Sequence, residues 1–214
     1  MTNRVTLTFD NGPAPGVTDH VLDELAARGV RTTFFVIGSK LLTAEGRALA
    51  ERAHAEGHWI GNHTLTHTTP LGAFADPADV DREIDGAQSL LDDLTHPDRL
   101  FRPYGSGGVI DRRLLGVHGR QRMLDDAFTC CLWDCLPRDW LEPDDWVDTC
   151  LAMIESIEWP VVVLHDLPTG AMAHLPRLLD VLAAADTEIV QDFPDTCVPI
   201  RRGVPTASYA TLEV

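Results

Sequence analysis

Positive charge is scarce in this 214-residue chain: 17 Lys and Arg stand against 33 Asp and Glu, a formal net charge of −16. A surface that acidic repels phosphate backbones and anionic lipid, which excludes nucleic acid and charged membranes as main partners. No apolar run approaches the ~18 residues of a membrane-spanning helix. The start, Met1-Thr-Asn-Arg-Val-Thr-Leu-Thr-Phe9, goes straight into a strand-like pattern without a signal-peptide apolar region, so a cytoplasmic protein is expected. Cysteine is sparse and its count of five is odd. Cys130 and Cys131 are adjacent, and Cys135, Cys150 and Cys197 are scattered. That spacing provides neither a zinc-finger nor a disulfide framework and reads as buried small apolar groups. Linkers, low-complexity tracts and repeats are also missing. At 44% hydrophobic and 23% charged, the composition is that of an ordinary globular protein, and the length suits one domain over residues 1–214.

Strand and helix signals alternate from end to end. Strands are expected at 5–9, 32–37, 58–61, 100–102, 128–133, 161–164 and 188–191, from β-branched, aromatic and all-apolar runs. Helices are expected at 18–28, 43–56, from Asp76-Pro77 onward (Val80, Ile84, Ala87, Leu91, Leu94), weakly at 110–115, from Glu142-Pro143-Asp144 to about 157, and at 175–185. Gly29 and Gly57 stop the first two. Seven such units at roughly 30-residue spacing argue for a parallel sheet covered by helices, an α/β fold. Polar residues collect directly after several strands, which favours a closed or distorted (β/α) barrel whose strand C-termini form the active face. The tail after Asp192, with Pro194, Pro199 and Pro205 and no period, reads as an irregular wrap.

Several of those polar residues could do chemistry. His63-Thr-Leu-Thr-His67 places two imidazoles four apart, a spacing that can reach one metal ion; two partly exposed loop histidines are the plainer alternative. Asp10-Asn11-Gly12-Pro13 is either a turn former or a base beside a metal ligand. Arg102, in Phe101-Arg102-Pro103-Tyr104, can pair with a carboxylate or simply carry surface charge. Asp139-Trp140 and Leu164-His165-Asp166 complete the set, and a lone histidine after a buried strand can be structural.

Taken in order, Thr8-Phe-Asp-Asn-Gly-Pro13, His63-Thr-Leu-Thr-His67, Arg102-Pro-Tyr104, Asp139-Trp140 and Leu164-His165-Asp166 resemble the NodB-type polysaccharide deacetylases, carbohydrate esterase family 4. So do the segments Thr32-Thr-Phe-Phe-Val-Ile-Gly38 and Gly57-His-Trp-Ile-Gly-Asn-His63. The resemblance covers about residues 5–192 and implies the distorted barrel already expected. It also implies roles. Asp10 is the general base, and Arg102 orients it. His63 and His67 hold a divalent metal, usually zinc-like, which polarises the carbonyl and acidifies its water. His165 is the general acid, needed because an amine departs poorly unprotonated, and Asp139 orients it. The Tyr104 backbone N–H serves the oxyanion. Trp140 and Val163 line the acyl pocket, and Pro103 sits with Tyr104 on the substrate side.

Two positions depart from the pattern. The family's first motif carries Asp-Asp, and here its second Asp, a metal ligand, is Asn11. An amide oxygen coordinates a cation without neutralising it, so weakened zinc binding or a metal-free site is implied. Leu136 stands where many relatives have Asp, which changes the substrate wall. The expectation is a hydrolase of non-peptide C–N bonds that deacetylates a small intracellular N-acetylated sugar or related amide, with no nucleic-acid or membrane partner. The oligomeric state is left open. Alternatives are a metal-independent ring-amide or ureide hydrolase, and a catalytically silent ligand-binding relative. Asp10 and His165 are expected on opposite sides of one cleft.

Overall fold

A computed structural model describes residues 4–213; residues 1–3 and 214, the ends of the expected domain, lie outside the described residues. Six parallel strands form the core of the sheet: β1 (Arg4–Asp10), β2 (Thr33–Val36), β3 (Trp59–Asn62), β4 (Leu100–Phe101), β5 (Thr129–Cys130) and β6 (Val161–His165). They run in the order β6-β1-β2-β3-β4-β5. A seventh, β7 (Glu188–Val190), pairs in parallel with the start of β1. The ring closes through a single residue. Beyond β5 the chain crosses to β6, where the Cys135 N–H donates to the Val161 carbonyl (3.2 Å) and the Val163 N–H donates to Cys135 (2.9 Å). A barrel closed by one bridge is distorted, as expected.

Strand alternation sorts residues into two layers, because successive side chains point to opposite faces. Val5, Leu7 and Phe9 of β1 and Val162 and Leu164 of β6 pack outward in one apolar cluster. It also contains Val21, Leu22 and Leu25 of α1 (Thr18–Ala27), Ala50 and Ala53 of α2 (Ala44–Ala55), and Leu175, Leu178, Leu179 and Leu182 of the last helix, Leu175–Ala184. The intervening residues Thr6, Thr8 and Asp10 face the barrel interior, where Phe35, Phe101, Val161 and Val163 build a second cluster. Helix starts follow their caps: the Thr43 hydroxyl accepts from the Gly46 N–H (3.0 Å), and the Asp76 carboxylate accepts from the Ala78 N–H (2.9 Å) at the head of α3 (Pro77–Leu91).

Three expectations are corrected. The weak helix at 110–115 is a turn. The Asp111 carboxylate takes the Arg113 N–H (2.8 Å) and opens only a single turn, which Gly116 at φ 65° interrupts, and the helix, α4, runs over Gly116–Asp125. The strand at 128–133 shortens to Thr129–Cys130, because the Leu132 N–H turns to the Cys197 carbonyl (2.7 Å) of the tail. The tail is not an irregular wrap. Its β8 (Ile200–Arg201) pairs antiparallel with β5 and continues into β9 (Val204–Pro205). Arg202 (φ 49°) and Gly203 (φ 75°) turn the hairpin, two left-handed residues in succession as a type I′ turn requires. Two-residue strands interrupted by proline leave no period to read. The helix expected from Glu142 begins slightly later, as α5 (Trp146–Glu155), and the last helix, α6, spans Leu175–Ala184. No helix among the described residues is long and apolar enough to cross a membrane.

Candidate active site

At the C-terminal ends of the strands a cavity of about 250 Å³ opens. It is lined by Asp10, Asn11, His63, His67, Pro103, Tyr104, Trp133, Leu136, Trp140, Val163, His165 and Leu167, with Gly105, Gly107 and Gly108. Every residue given a role by the resemblance lies on this wall except Arg102 and Asp139, which are fully buried behind it. Asp10 and His165 are register partners on the adjacent strands β1 and β6. They therefore stand side by side at strand spacing, about 4.8 Å, rather than across a cleft.

Arg102 directly follows β4 and reaches through the barrel. One terminal nitrogen donates to Asp10 Oδ1 (2.8 Å) and Thr8 Oγ1 (2.6 Å); Nε donates to the Cys131 carbonyl (3.1 Å), and the other terminal nitrogen to the Leu132 carbonyl (3.3 Å). Its guanidinium lies 4.1 Å over the Phe35 ring. A Cβ at Gly61 would come within 2.6 Å of that ring, so glycine in β3 is what lets Phe35 sit there. The planar fork fixes the Asp10 carboxylate in position and orientation.

On the other strand, the Asp139 carboxylate accepts twice from His165: from the Nδ1–H (2.8 Å) and from the backbone N–H (2.8 Å). The Trp140 ring packs edge-on against the imidazole, 4.6 Å away. Burial alone would pull the His165 pKa down. The Asp139 carboxylate, joined by Asp10 and Asp166, outweighs it, and the pKa stands above the ordinary histidine value. The next residue, Asp166, is buried and accepts from the Thr18 hydroxyl, and burial pushes it up to about 7.

The two motif histidines converge, with ring centroids 4.4 Å apart, and Tyr104 stacks 4.2 Å from His67. Burial pushes His63 down to about 3, and burial together with His63 pushes His67 down to about 2, so both are neutral near pH 7. His63 Nδ1 lies 2.7 Å from the Arg102 carbonyl, which can only accept, so Nδ1 carries the proton and Nε2 presents a lone pair. That lone pair faces Asp10 Oδ2 at 3.5 Å, two acceptors with no proton of their own between them. Asn11, held at φ 72°, has its Oδ1 buried without a hydrogen-bond partner. Among the described residues no three His, Cys, Asp or Glu side chains form a metal-binding group; the third donor here is an amide. Two neutral imidazoles, one anchored by a backbone carbonyl, and an orphaned amide oxygen on one wall fit a divalent cation.

Sequence reasoning gave no role to Thr8, which opens the first motif, and missed Trp133, Leu167 and the glycines at 105, 107 and 108, for which no local signal existed. It also missed Glu83, 3% exposed on α3, whose carboxylate accepts both the N–H (2.8 Å) and the hydroxyl (2.7 Å) of Thr66. A charge within the apolar stripe of Val80, Ile84 and Ala87 was the available clue.

An α/β barrel that presents a carboxylate, a histidine pair and a carboxylate-anchored imidazole at its strand ends has the layout of a hydrolase. The chain belongs to the polysaccharide deacetylase family, whose model matches residues 2–118. It is 35% identical over 170 residues to a chitooligosaccharide deacetylase of Bradyrhizobium sp. (strain ANU 289), covering 77% of this chain and 71% of that one. It is 29% identical over 189 residues to the peptidoglycan-N-acetylglucosamine deacetylase PgdA of Listeria monocytogenes, covering 87% of this chain but 37% of that protein. Among solved structures, a family 4 carbohydrate esterase from Streptomyces lividans in complex with acetate superposes with a TM-score of 0.73 at 28% identity, covering 95% of this chain and 98% of that one. The protein is thus an enzyme of the deacetylase class. These matches support neither the ring-amide alternative nor the silent-binder alternative.

Proposed function

We propose that the chain hydrolyses the N-acetyl group of a small N-acetylated amino sugar. The observation that carries this reading is the pair of anchored groups on neighbouring strands: Asp10 held by Arg102 at 2.8 Å and His165 held by Asp139 at 2.8 Å, both opening on one cavity. Asp10 takes the proton of the attacking water while Arg102 keeps its carboxylate aimed. His165, with Nδ1–H committed to Asp139, delivers the Nε2 proton to the departing amine. The Tyr104 backbone N–H stabilises the oxyanion, and Trp140 and Val163 enclose the acetyl methyl group. His63, His67 and the Asn11 amide would hold a divalent cation, zinc being suited to imidazole donors, which when bound supplies Lewis-acid polarisation and an acidified water.

The cavity size supports a small acylated group at the site: about 250 Å³ is below the roughly 300–1,000 Å³ of drug-sized ligand sites, which suits one acylated sugar unit. The names of the Bradyrhizobium and Listeria relatives both point to acetylated glucosamine units. All five cysteines are unpaired and buried, which suits an enzyme working in the reducing cytoplasm. Acetate release from N-acetylglucosamine and its short oligomers, with zinc added or chelated, tests the reading. Asp10→Asn and His165→Ala should each lower turnover about 10²–10⁴-fold. Near-wild-type turnover in either variant removes that residue from the mechanism, and no acetate release from any of these sugars rejects the substrate.

A further inference from the structure

The His63–His67 turn is unusual in its backbone. Thr64 (φ 64°) and His67 (φ 53°) are both left-handed non-glycine residues, a conformation that persists only where the surroundings over-determine it. Its first half is fixed by backbone. The Gly38 and Ser39 N–H groups donate to the Thr64 and Leu65 carbonyls (both 2.9 Å), and Asn62 Oδ1 accepts from the Thr64 N–H (2.9 Å) while its Nδ2 donates to the Ile84 carbonyl of α3 (3.0 Å). The second half, which carries His67, has less support. The His67 N–H donates to Thr64 Oγ1 (3.0 Å), and Thr66 gives both of its donors to Glu83 (2.8 and 2.7 Å).

Glu83 is a costly way to satisfy Thr66. Thr66 is exposed, so water could take its donors, whereas Glu83 is buried and no basic side chain pairs with it among the described residues. A buried carboxylate without a countercharge is destabilising unless hydrogen bonds compensate it. Here both oxygens are spent on one residue of the turn between the two histidines. The arrangement makes sense if its product is the geometry of that turn.

We propose that Glu83 is a positioning residue: its carboxylate holds the second half of the 63–67 turn so that the His67 imidazole stays beside His63 in the arrangement a shared cation needs. This rests on the cation site proposed above. Outer partners of metal-ligating groups have this effect on affinity, with losses of about 10–100-fold on mutation. Asn11 supplies no negative charge, so the site depends more on how well its neutral donors are placed.

Two measurements on the full chain separate this proposal from the cation reading. Amide hydrogen exchange at Thr66 and His67, in metal-free protein, reads the turn itself; competitive titration with zinc and a chromophoric chelator reads the site. Glu83→Leu should accelerate exchange at both amides and weaken zinc binding about 10–100-fold. Thr66→Val, at an exposed position where folding is not at risk, removes only the hydroxyl donor and should weaken zinc about fivefold, one hydrogen bond's worth. A wild-type protein that binds no zinc rejects the cation reading and leaves the exchange data to decide the role of Glu83. Wild-type exchange rates in Glu83→Leu overturn the proposal. So does zinc affinity unchanged in both variants of a zinc-binding wild type.

Discussion

Removing the Arg102 side chain tests the central strut of the site. Arg102 is fully buried and serves Asp10, Thr8 and two backbone carbonyls. Arg102→Met keeps an unbranched apolar stem but removes the guanidinium that lies over Phe35 and leaves the Asp10 carboxylate, whose side chain is 5% exposed, without its countercharge. Breaking a buried pair by removing one partner costs about 3–5 kcal/mol; the cavity beside Asp10 admits water, so the low end applies. Stranding the Cys131 and Leu132 carbonyls adds about 1 kcal/mol each. The total, about 5 kcal/mol, is a large part of the roughly 5–15 kcal/mol that holds a domain of this kind folded. Asp10→Asn is milder, about 2 kcal/mol, because the amide oxygen still accepts from the guanidinium. In the double variant no charge is stranded on either side. It should therefore cost about 3 kcal/mol less than the sum of the singles, the upper end of coupling between residues in contact. Urea unfolding at pH 7, followed by tryptophan fluorescence, measures the cycle. Additivity within about 0.5 kcal/mol would refute the argument, since it would mean that the two groups do not depend on each other for their burial.

Other outcomes follow from neighbouring features. In Asp139→Asn the group that most raises the His165 pKa is gone, while burial, the larger influence and a lowering one, remains with only Asp10 and Asp166 against it; an acid works only while protonated, so the high-pH limb of the rate profile should move to lower pH, and an unmoved limb would clear Asp139 of that role. Asn11→Asp should tighten zinc binding, because a carboxylate adds charge to a set of neutral donors; equal or weaker affinity by titration would mean that position 11 does not face the cation. His58, whose Nδ1 accepts from the Thr32 N–H (3.0 Å), is pushed down to about 4 by burial. The unfolded chain then binds a proton that the folded one refuses, and about 3 kcal/mol of stability should be lost as pH falls from about 6.5 to about 4. His63 and His67, also held down by burial, steepen the same window, so His58→Asn, which keeps an acceptor for Thr32, should lessen that slope in melting temperatures without abolishing it.

What could be read from the chain was what repeats or what is local. The order of strands and helices followed from periodicity, and Asp76 marked a helix start because a cap is a contact between residues two or three apart. The motif positions were legible as residue types at strand ends, since a parallel barrel gathers those ends on one face. Tertiary structure decided the rest. Whether Arg102 was a surface charge or a buried strut depended on Thr8, Asp10 and Cys131, which lie 94, 92 and 29 residues away in the chain. That Asp10 and His165 are neighbours rather than opposed came from strand order, which no local pattern encodes. The tail joined the sheet because β5 had an open edge to offer it, and Glu83 met Thr66 only when α3 packed against the histidine turn. A side chain's type and spacing are properties of the sequence, but its burial, its partners and hence its protonation depend on which distant segments enclose it, and only the folded chain settles that.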